Sequence, residues 1–234
     1  MTATDLSLLE LPSAACSWLG RTDAHEAIFD HRISVNPKWW AQEFADHGLP
    51  DTLLGKTITR GELFAIAEDA SRSPTGALTL LWNSIAWGSG TSPRNNRARI
   101  TGVAASPSAA GELLQRAAQI GRHDPKSAYE LLFPANKPVL KGLGPAFFTK
   151  YLYFAGAGAA DHPCYILDER VARALYAIGW TSLPTSQWRA SAYERYCDLL
   201  RRWAAELHAP RTDLIERWLF DNAGHSVPNN PRAK

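Results

Sequence analysis

The stretch Leu140-Lys141-Gly142-Leu143-Gly144-Pro145 decides the fold of this chain. Two glycines one residue apart permit a tight turn with a positive φ angle. Pro145 suits the first position of a following helix, because its missing N–H would have no helical partner there. Backbone N–H groups at such a turn and helix start can bind a nucleic-acid phosphate without reading base sequence. The stretch therefore predicts a hairpin between two helices over residues 140–146, although an ordinary helix–helix connection has the same features.

Helical patterns dominate the sequence on both sides of this hairpin. Thr59-Arg60-Gly61-Glu62 has the capping-box pattern that opens a helix. Alternating patterns typical of strands are almost absent, so the sequence predicts an all-α fold. We expect an N-terminal extension packed on the core over 1–37, one domain over 38–225 and a flexible polar tail over 226–234. The expected helices cover residues 38–46, 59–71, 76–87, 108–122, 127–133, 145–156, 169–178, 186–208 and 210–222.

The composition narrows the class of protein. The net charge is only +2, so any nucleic-acid-binding surface must be local. The three cysteines are far apart in sequence, which disfavours a disulfide framework and favours a reducing cytoplasm. No apolar run approaches the ~20 residues that span a bilayer. Since no His or Cys residues have ligand spacing, we expect no catalytic metal and no cofactor.

An aspartate that would cap a helix follows the hairpin, in the stretch Ile166-Leu167-Asp168-Glu169-Arg170. Together the two stretches resemble the helix-hairpin-helix DNA glycosylases, in which an L-x-G-x-G hairpin precedes an aspartate that opens a later helix. The resemblance implies two helical lobes flanking a base pocket. It also implies that Lys141, Gly142 and Gly144 anchor double-stranded DNA, while Asp168 supports departure of the base.

Two further stretches resemble 8-oxoguanine DNA glycosylases in particular. The first is Asn95-Asn96-Arg97-Ala98-Arg99-Ile100-Thr101-Gly102. The resemblance implies that Asn95 or Asn96 fills the gap left by an extruded base and that Arg99 contacts the orphaned partner base. Arg97 is a further candidate DNA contact. A polar turn with a solvated arginine face would have the same sequence features.

The second stretch, Ile215-Glu216-Arg217-Trp218-Leu219-Phe220, resembles the base-pocket helix of the same enzymes. The spacing i, i+4 places Glu216 and Phe220 on one helix face. The resemblance implies that Phe220 stacks on the flipped base while Glu216 reads its polar edge, where the family usually has Gln. A carboxylate accepts hydrogen bonds, and a guanine-type edge offers two adjacent donors, so a guanine-like base is favoured over adenine. An exposed acid beside a core Phe is the alternative.

The resemblance covers residues 75–222 and is strongest to the compact prokaryotic enzymes. The position of the nucleophile is where this chain departs most from the family pattern. Bifunctional members carry a lysine at the start of the helix after the hairpin, where this chain has Ala146. Lys150 lies one turn later on the same face and leans back toward the helix start, so it is our candidate nucleophile. We expect a monomer. Two alternatives stay open: a non-catalytic helix-hairpin-helix DNA-binding protein, and a monofunctional glycosylase for another base in which water attacks the sugar.

Overall fold

The computed structural model describes residues 4–223, which are mainly helical and confirm the predicted all-α fold. The tail predicted for 226–234 lies outside the described residues. Within them, no helix has both the length and the apolar character needed to cross a membrane. The α-helices and strands are α1 (Ser13–Leu19), α2 (Ala24–Ile28), β1 (Arg32–Ser34), α3 (Pro37–Asp46), β2 (Thr57–Thr59), α4 (Arg60–Ile66), α5 (Glu68–Arg72), α6 (Pro74–Ser89), α7 (Asn96–Ala104), α8 (Pro107–Gly121), α9 (Pro125–Leu132), α10 (Pro145–Phe154), α11 (Glu169–Ile178), α12 (Ala190–Glu206) and α13 (Asp213–Asp221).

Side-chain caps are found at the start of several of these helices. The predicted capping box is present: the Thr59 hydroxyl accepts from the Glu62 N–H at 3.0 Å, and the Glu62 carboxylate accepts from the Thr59 N–H at 2.7 Å. The single helix expected over 59–71 is divided into α4 and α5, which meet at Ala67. Asp168 caps α11 as predicted, accepting from the backbone N–H groups of the first turn.

Helix α6 runs through the centre of the molecule. It packs against α5, α8 and α10, and it has buried residues on all sides. A helix without a polar face can be accommodated only in a core, because each exposed Leu or Trp would leave apolar area in water. The end of α6 lies beside the start of α10, where the site residues described below are found.

The N-terminal segment packs onto α13. Helices α1 and α2 both contact α13, and β1 pairs with β2 in antiparallel register, with Ile33 opposite Ile58. The Arg60 N–H donates to the His31 carbonyl at 3.0 Å, so the end of this ribbon joins the start of α4 to the segment before β1. This arrangement brings His31 and Arg60 next to the helix that carries Glu216 and Phe220.

Candidate active site

The predicted hairpin is a tight turn packed on α7, but no helix leads directly into it, because α9 ends at Leu132 and residues 137–144 are not helical. The Leu143 N–H donates to the Leu140 carbonyl at 3.0 Å, and α10 begins at Pro145. Gly142 has φ +84°, and a Cβ there would lie 3.2 Å from backbone atoms of Ala98 and Arg99. Gly144 differs, since its φ is −87° and a Cβ would meet nothing within 4 Å. The two glycines therefore have different roles: the first is required by the packing, and the second leaves the backbone open to solvent.

We expect Gly142→Ala to destabilise the protein by about 1–3 kcal/mol, because it combines a left-handed backbone with a tight contact. Gly144→Ala is the matched control, with an expected loss of less than about 1 kcal/mol at this helix N-cap. Urea unfolding of the two variants measures the difference. Equal losses would show that the hairpin does not depend on its fit against α7.

The two candidate asparagines lie in different environments. Asn95 is exposed at the start of α7 with φ +63°, a conformation that asparagine tolerates better than most residues. Asn96 is buried, and its amide donates to the Ser89 hydroxyl at 3.0 Å. Of the two, Asn95 is accessible to an approaching duplex, whereas Asn96 connects α7 to the end of α6.

Both candidate arginines already contact other side chains of the protein. The Arg97 Nε donates to both oxygens of Glu43 on α3 at 3.0 Å. The Arg99 guanidinium carbon lies 3.6 Å from the centroid of the Phe147 ring, and burial lowers the pKa of Arg99 to about 10. The Arg99 Nε is buried without an acceptor among the described residues. Arg99 would therefore have to leave Phe147 before it could contact a DNA base.

Lys150 and Asp168, 18 residues apart in sequence, form a mostly buried ion pair with Nζ 2.8 Å from Oδ2 and side chains that are 6% and 13% exposed. The Lys150 ammonium also donates to the Ala146 carbonyl at 3.0 Å, so its side chain does lean toward the start of α10. Burial alone would raise the pKa of Asp168. The Lys150 ammonium and the N–H donors of Arg170 and Val171 outweigh that effect and hold this pKa below its usual value. Asp168 is therefore an ionised carboxylate next to a lysine amine.

Two residues that the sequence analysis did not single out position this pair. The Thr149 hydroxyl lies 3.1 Å from the Leu167 carbonyl and accepts from the Leu167 N–H at 3.2 Å, which joins the residues directly before Lys150 and Asp168. A Cβ at Gly88, near the end of α6, would lie only 2.8 Å from the Lys150 Cδ. Neither role has a local sequence signal, because each depends on a contact between distant segments.

Glu216 is fully buried in a bidentate ion pair. Its oxygens accept from the Arg60 guanidinium at 2.9 and 3.4 Å, and both side chains are about 1% exposed. Burial raises the pKa of Glu216, although the Arg60 guanidinium acts in the opposite direction. The Glu216 carboxylate raises the pKa of Arg60, although burial acts to lower it. The predicted role of Glu216, direct reading of a base edge, does not fit this environment. Its carboxylate faces Arg60 inside the protein, a partner that helical spacing could not reveal.

Glu216→Gln should lower the free energy of unfolding by about 1–3 kcal/mol, since Arg60 would keep its charge in a buried site with a neutral partner. Glu169→Gln is the control. Glu169 pairs with Arg173 on the surface, with about 60% of each side chain exposed, and such pairs contribute at most about 1 kcal/mol. Urea unfolding compares the two, and similar small losses would mean that the buried pair adds nothing to stability.

Phe220 is half-buried, as a stacking residue requires. The Arg170 guanidinium carbon lies 4.3 Å from the centroid of its ring, and the Arg170 Nε donates to the Phe220 carbonyl at 3.1 Å. On another side, the His31 ring centroid is 6.3 Å away. Phe220 is thus connected to the start of α11, where Asp168 lies, and to the N-terminal segment.

Further contacts link Phe220 and His31 back to Lys150. The His31 ring packs edge-on against Trp87 at a centroid distance of 5.1 Å, and Trp87 precedes Gly88, which lies against the Lys150 stem. We use the name candidate pocket for the place where the following side chains meet: Lys150, Asp168, Arg170, Phe220, His31 and Trp87.

The all-α fold, together with an ion pair between Lys150 in the middle of α10 and Asp168 at the N-cap of α11, is consistent with a DNA glycosylase-like fold. The family described as "Putative 8-oxoguanine DNA glycosylase OGG-like protein" matches residues 26–220, and the chain belongs to this family. No curated protein and no solved structure matches the chain. The family match begins well before residue 75, so it includes the β1–β2 ribbon as well as the hairpin.

Proposed function

We propose that this protein is a DNA glycosylase that excises an oxidised guanine, with 8-oxoguanine favoured, and forms a covalent intermediate through Lys150. The observation that carries the proposal is the buried Lys150–Asp168 pair, 2.8 Å apart at the edge of the candidate pocket. A buried amine beside an ionised carboxylate offers a nucleophile and a group that stabilises positive charge. The family match supports the same class of reaction.

Binding would begin at the exposed hairpin and the start of α7. Lys141 and Gly142 are exposed, and Gly144 presents an open backbone at the N-terminus of α10. Partial positive charge at a helix start favours a phosphate. The glycosidic bond is not reachable inside the stack, so the target nucleotide must be extruded. Asn95 fills the gap, Arg99 leaves the Phe147 ring to contact the orphaned base, and Arg97, beside its partner Glu43, adds a contact near the backbone.

The chemistry then takes place at C1′ of the extruded nucleotide. Lys150, whose ammonium donates to the Asp168 carboxylate, releases one proton to solvent, so Asp168 stays ionised and the neutral Nζ attacks C1′. The bond from C1′ to the base breaks, and the base leaves with the electron pair and takes up a proton from solvent. The ammonium formed at Nζ then gives one proton to O4′, the C1′–O4′ bond breaks, and the nitrogen lone pair forms the Schiff base between Lys150 and C1′. Asp168 stabilises the positive charge that develops on the sugar.

The base itself would stack on Phe220. We propose that Glu216 belongs to this pocket indirectly, since it holds Arg60, and Arg60 in turn donates to His31 at 3.2 Å. The groups that Arg60 positions, His31 among them, would then select a guanine-like base.

A monofunctional enzyme is the second candidate. It is favoured by the tight hold on the Lys150 ammonium, which is 5% exposed and donates to both Asp168 and the Ala146 carbonyl. In that case water attacks the sugar and Asp168 keeps its role.

A lesion panel distinguishes these possibilities. Duplexes with 8-oxoguanine, oxidised pyrimidines, adenine lesions and an abasic site are incubated with the protein, and released bases are identified by mass spectrometry. Borohydride in parallel reactions reduces any Schiff base to a stable amine. We expect release of 8-oxoguanine together with a trapped complex. Release of a base without trapping would support attack by water. If no base is released and no complex is trapped, the protein binds DNA without chemistry.

A further inference from the structure

We propose that His31 is a specificity-determining residue that donates its Nε2–H to an oxygen of the flipped base, and this inference rests on the proposed function. His31 lies in the N-terminal segment and borders the candidate pocket between Trp87 and Phe220. It takes the place of Glu216 as the group that reads the base edge.

The tautomer of His31 follows from its partner. The Arg60 Nε donates to the His31 Nδ1 at 3.2 Å. Since a guanidinium has no acceptor, Nδ1 must be the lone-pair nitrogen, and the proton of the neutral ring lies on Nε2. The ring therefore presents a donor at Nε2.

The same network keeps the ring neutral and in place. Burial and the positive charges of Arg60 and Arg217 lower the pKa of His31 to about 3, so the ring carries no charge at neutral pH. Arg60 is itself held by Glu216 and by the Tyr153 hydroxyl at 3.0 Å. Preorganised donors of this kind discriminate well, because little freedom is lost when the ligand binds.

His31 is also accessible. It is half-buried and lines a cleft of about 380 Å³ between α2 and α13, together with Glu26, Arg217 and Asp221. Arg217 and Asp221 flank Phe220 along α13. The lining of this cleft does not include Phe220, Trp87, Lys150 or Asp168, so the cleft is an approach to His31 and not the whole candidate pocket.

A second donor lies against the His31 ring, outside the lining of this cleft. The indole N–H of Trp87 is buried and makes no hydrogen bond within the described part of the chain. Buried donors rarely go unpaired, so an unpaired one beside a proposed binding site points to a ligand acceptor.

Two donors select for an acceptor edge. A guanine-type base carries the oxygen O6 where adenine carries an amino group, and 8-oxoguanine adds a second oxygen at C8. We infer that the pocket reads a purine oxygen, and that adenine-type bases fail because their amino group meets a donor.

The test uses enzyme in excess over two duplexes, one with 8-oxoguanine and one with an abasic site. His31→Leu removes the donor, while His31→Gln restores one close to the position of Nε2. For His31→Leu we expect release of 8-oxoguanine to slow by at least about tenfold, the effect of one lost hydrogen bond. Borohydride trapping on the abasic site, which needs no base recognition, should stay within about twofold of wild type. His31→Gln should recover much of the lost rate.

Three outcomes would overturn the inference. If His31→Leu releases 8-oxoguanine at the wild-type rate, His31 does not read the base. If release and abasic-site trapping fall together, and His31→Gln does not recover release, His31 has a structural role. If wild-type protein releases no 8-oxoguanine, the proposed function fails first and this inference fails with it.

Discussion

Lys150→Gln should eliminate the borohydride-trapped complex completely. The amide nitrogen of glutamine is not a nucleophile, so no Schiff base can form. Glutamine can still donate a hydrogen bond to Asp168, whose carboxylate would keep the backbone N–H bonds from Arg170 and Val171. The fold around the pair should therefore survive, and circular dichroism and DNA binding check that it does. Denaturing gels of borohydride-treated reactions measure the trapped complex.

Lys141→Gln is the matched control for this experiment. Lys141 is exposed on the hairpin and forms no ion pair among residues 4–223, so its loss should weaken DNA binding modestly and leave trapping intact. Trapping that survives in Lys150→Gln but disappears in Lys141→Gln would identify the hairpin lysine as the nucleophile. Base release at the wild-type rate by Lys150→Gln would instead favour attack by water.

Asp168→Asn should slow base release by about a hundredfold or more while largely preserving DNA binding. The carboxylate acts on charge that develops only in the transition state, and the loss of such a group typically costs about 10²–10³ in rate. Asparagine is as good an N-cap as aspartate, so its side-chain oxygen can keep the Arg170 and Val171 N–H bonds and α11 should stay folded. Single-turnover release of 8-oxoguanine measures the effect.

Asp124→Asn provides a control with the same chemistry at another helix. Asp124 caps α9 by accepting from the Ser127 N–H at 2.9 Å, and it is exposed. Its replacement should leave base release unchanged. If Asp168→Asn keeps nearly wild-type activity, the carboxylate is only a helix cap and the proposed mechanism is wrong. If both variants lose activity equally, the loss reflects helix stability and not transition-state charge.

Local features could be read from the sequence with good accuracy. The Thr59 capping box and the Asp168 cap each depend on residues within a few positions of one another, and both are present in the structure. Helical periodicity was sufficient for the all-α fold because α8, α9 and α11 each bury one face. Lys150 and Asp168 were also identified, from a resemblance whose spacing reflects a contact in three dimensions.

The environment of Glu216 was decided by tertiary structure alone. Its position four residues before Phe220 predicts a shared face, and this is compatible with either a solvent-facing acid or a buried one. Burial depends on Arg60, 156 residues earlier in sequence, which enters from the end of the β1–β2 ribbon. No periodicity links two residues at that separation, so the pair could not be predicted from either segment.

Sequence by itself thus determined most of the helices from α3 onward and two of their caps, and it singled out the two residues proposed for chemistry, because backbone capping and apolar periodicity are local. The tertiary structure decided which polar groups face the pocket. His31, in a segment with weak sequence signals, becomes a candidate only because Arg60 donates to it and Trp87 packs against it. The physical reason is that a buried charge must find its partner wherever the fold brings one, and that choice is made by packing between distant segments.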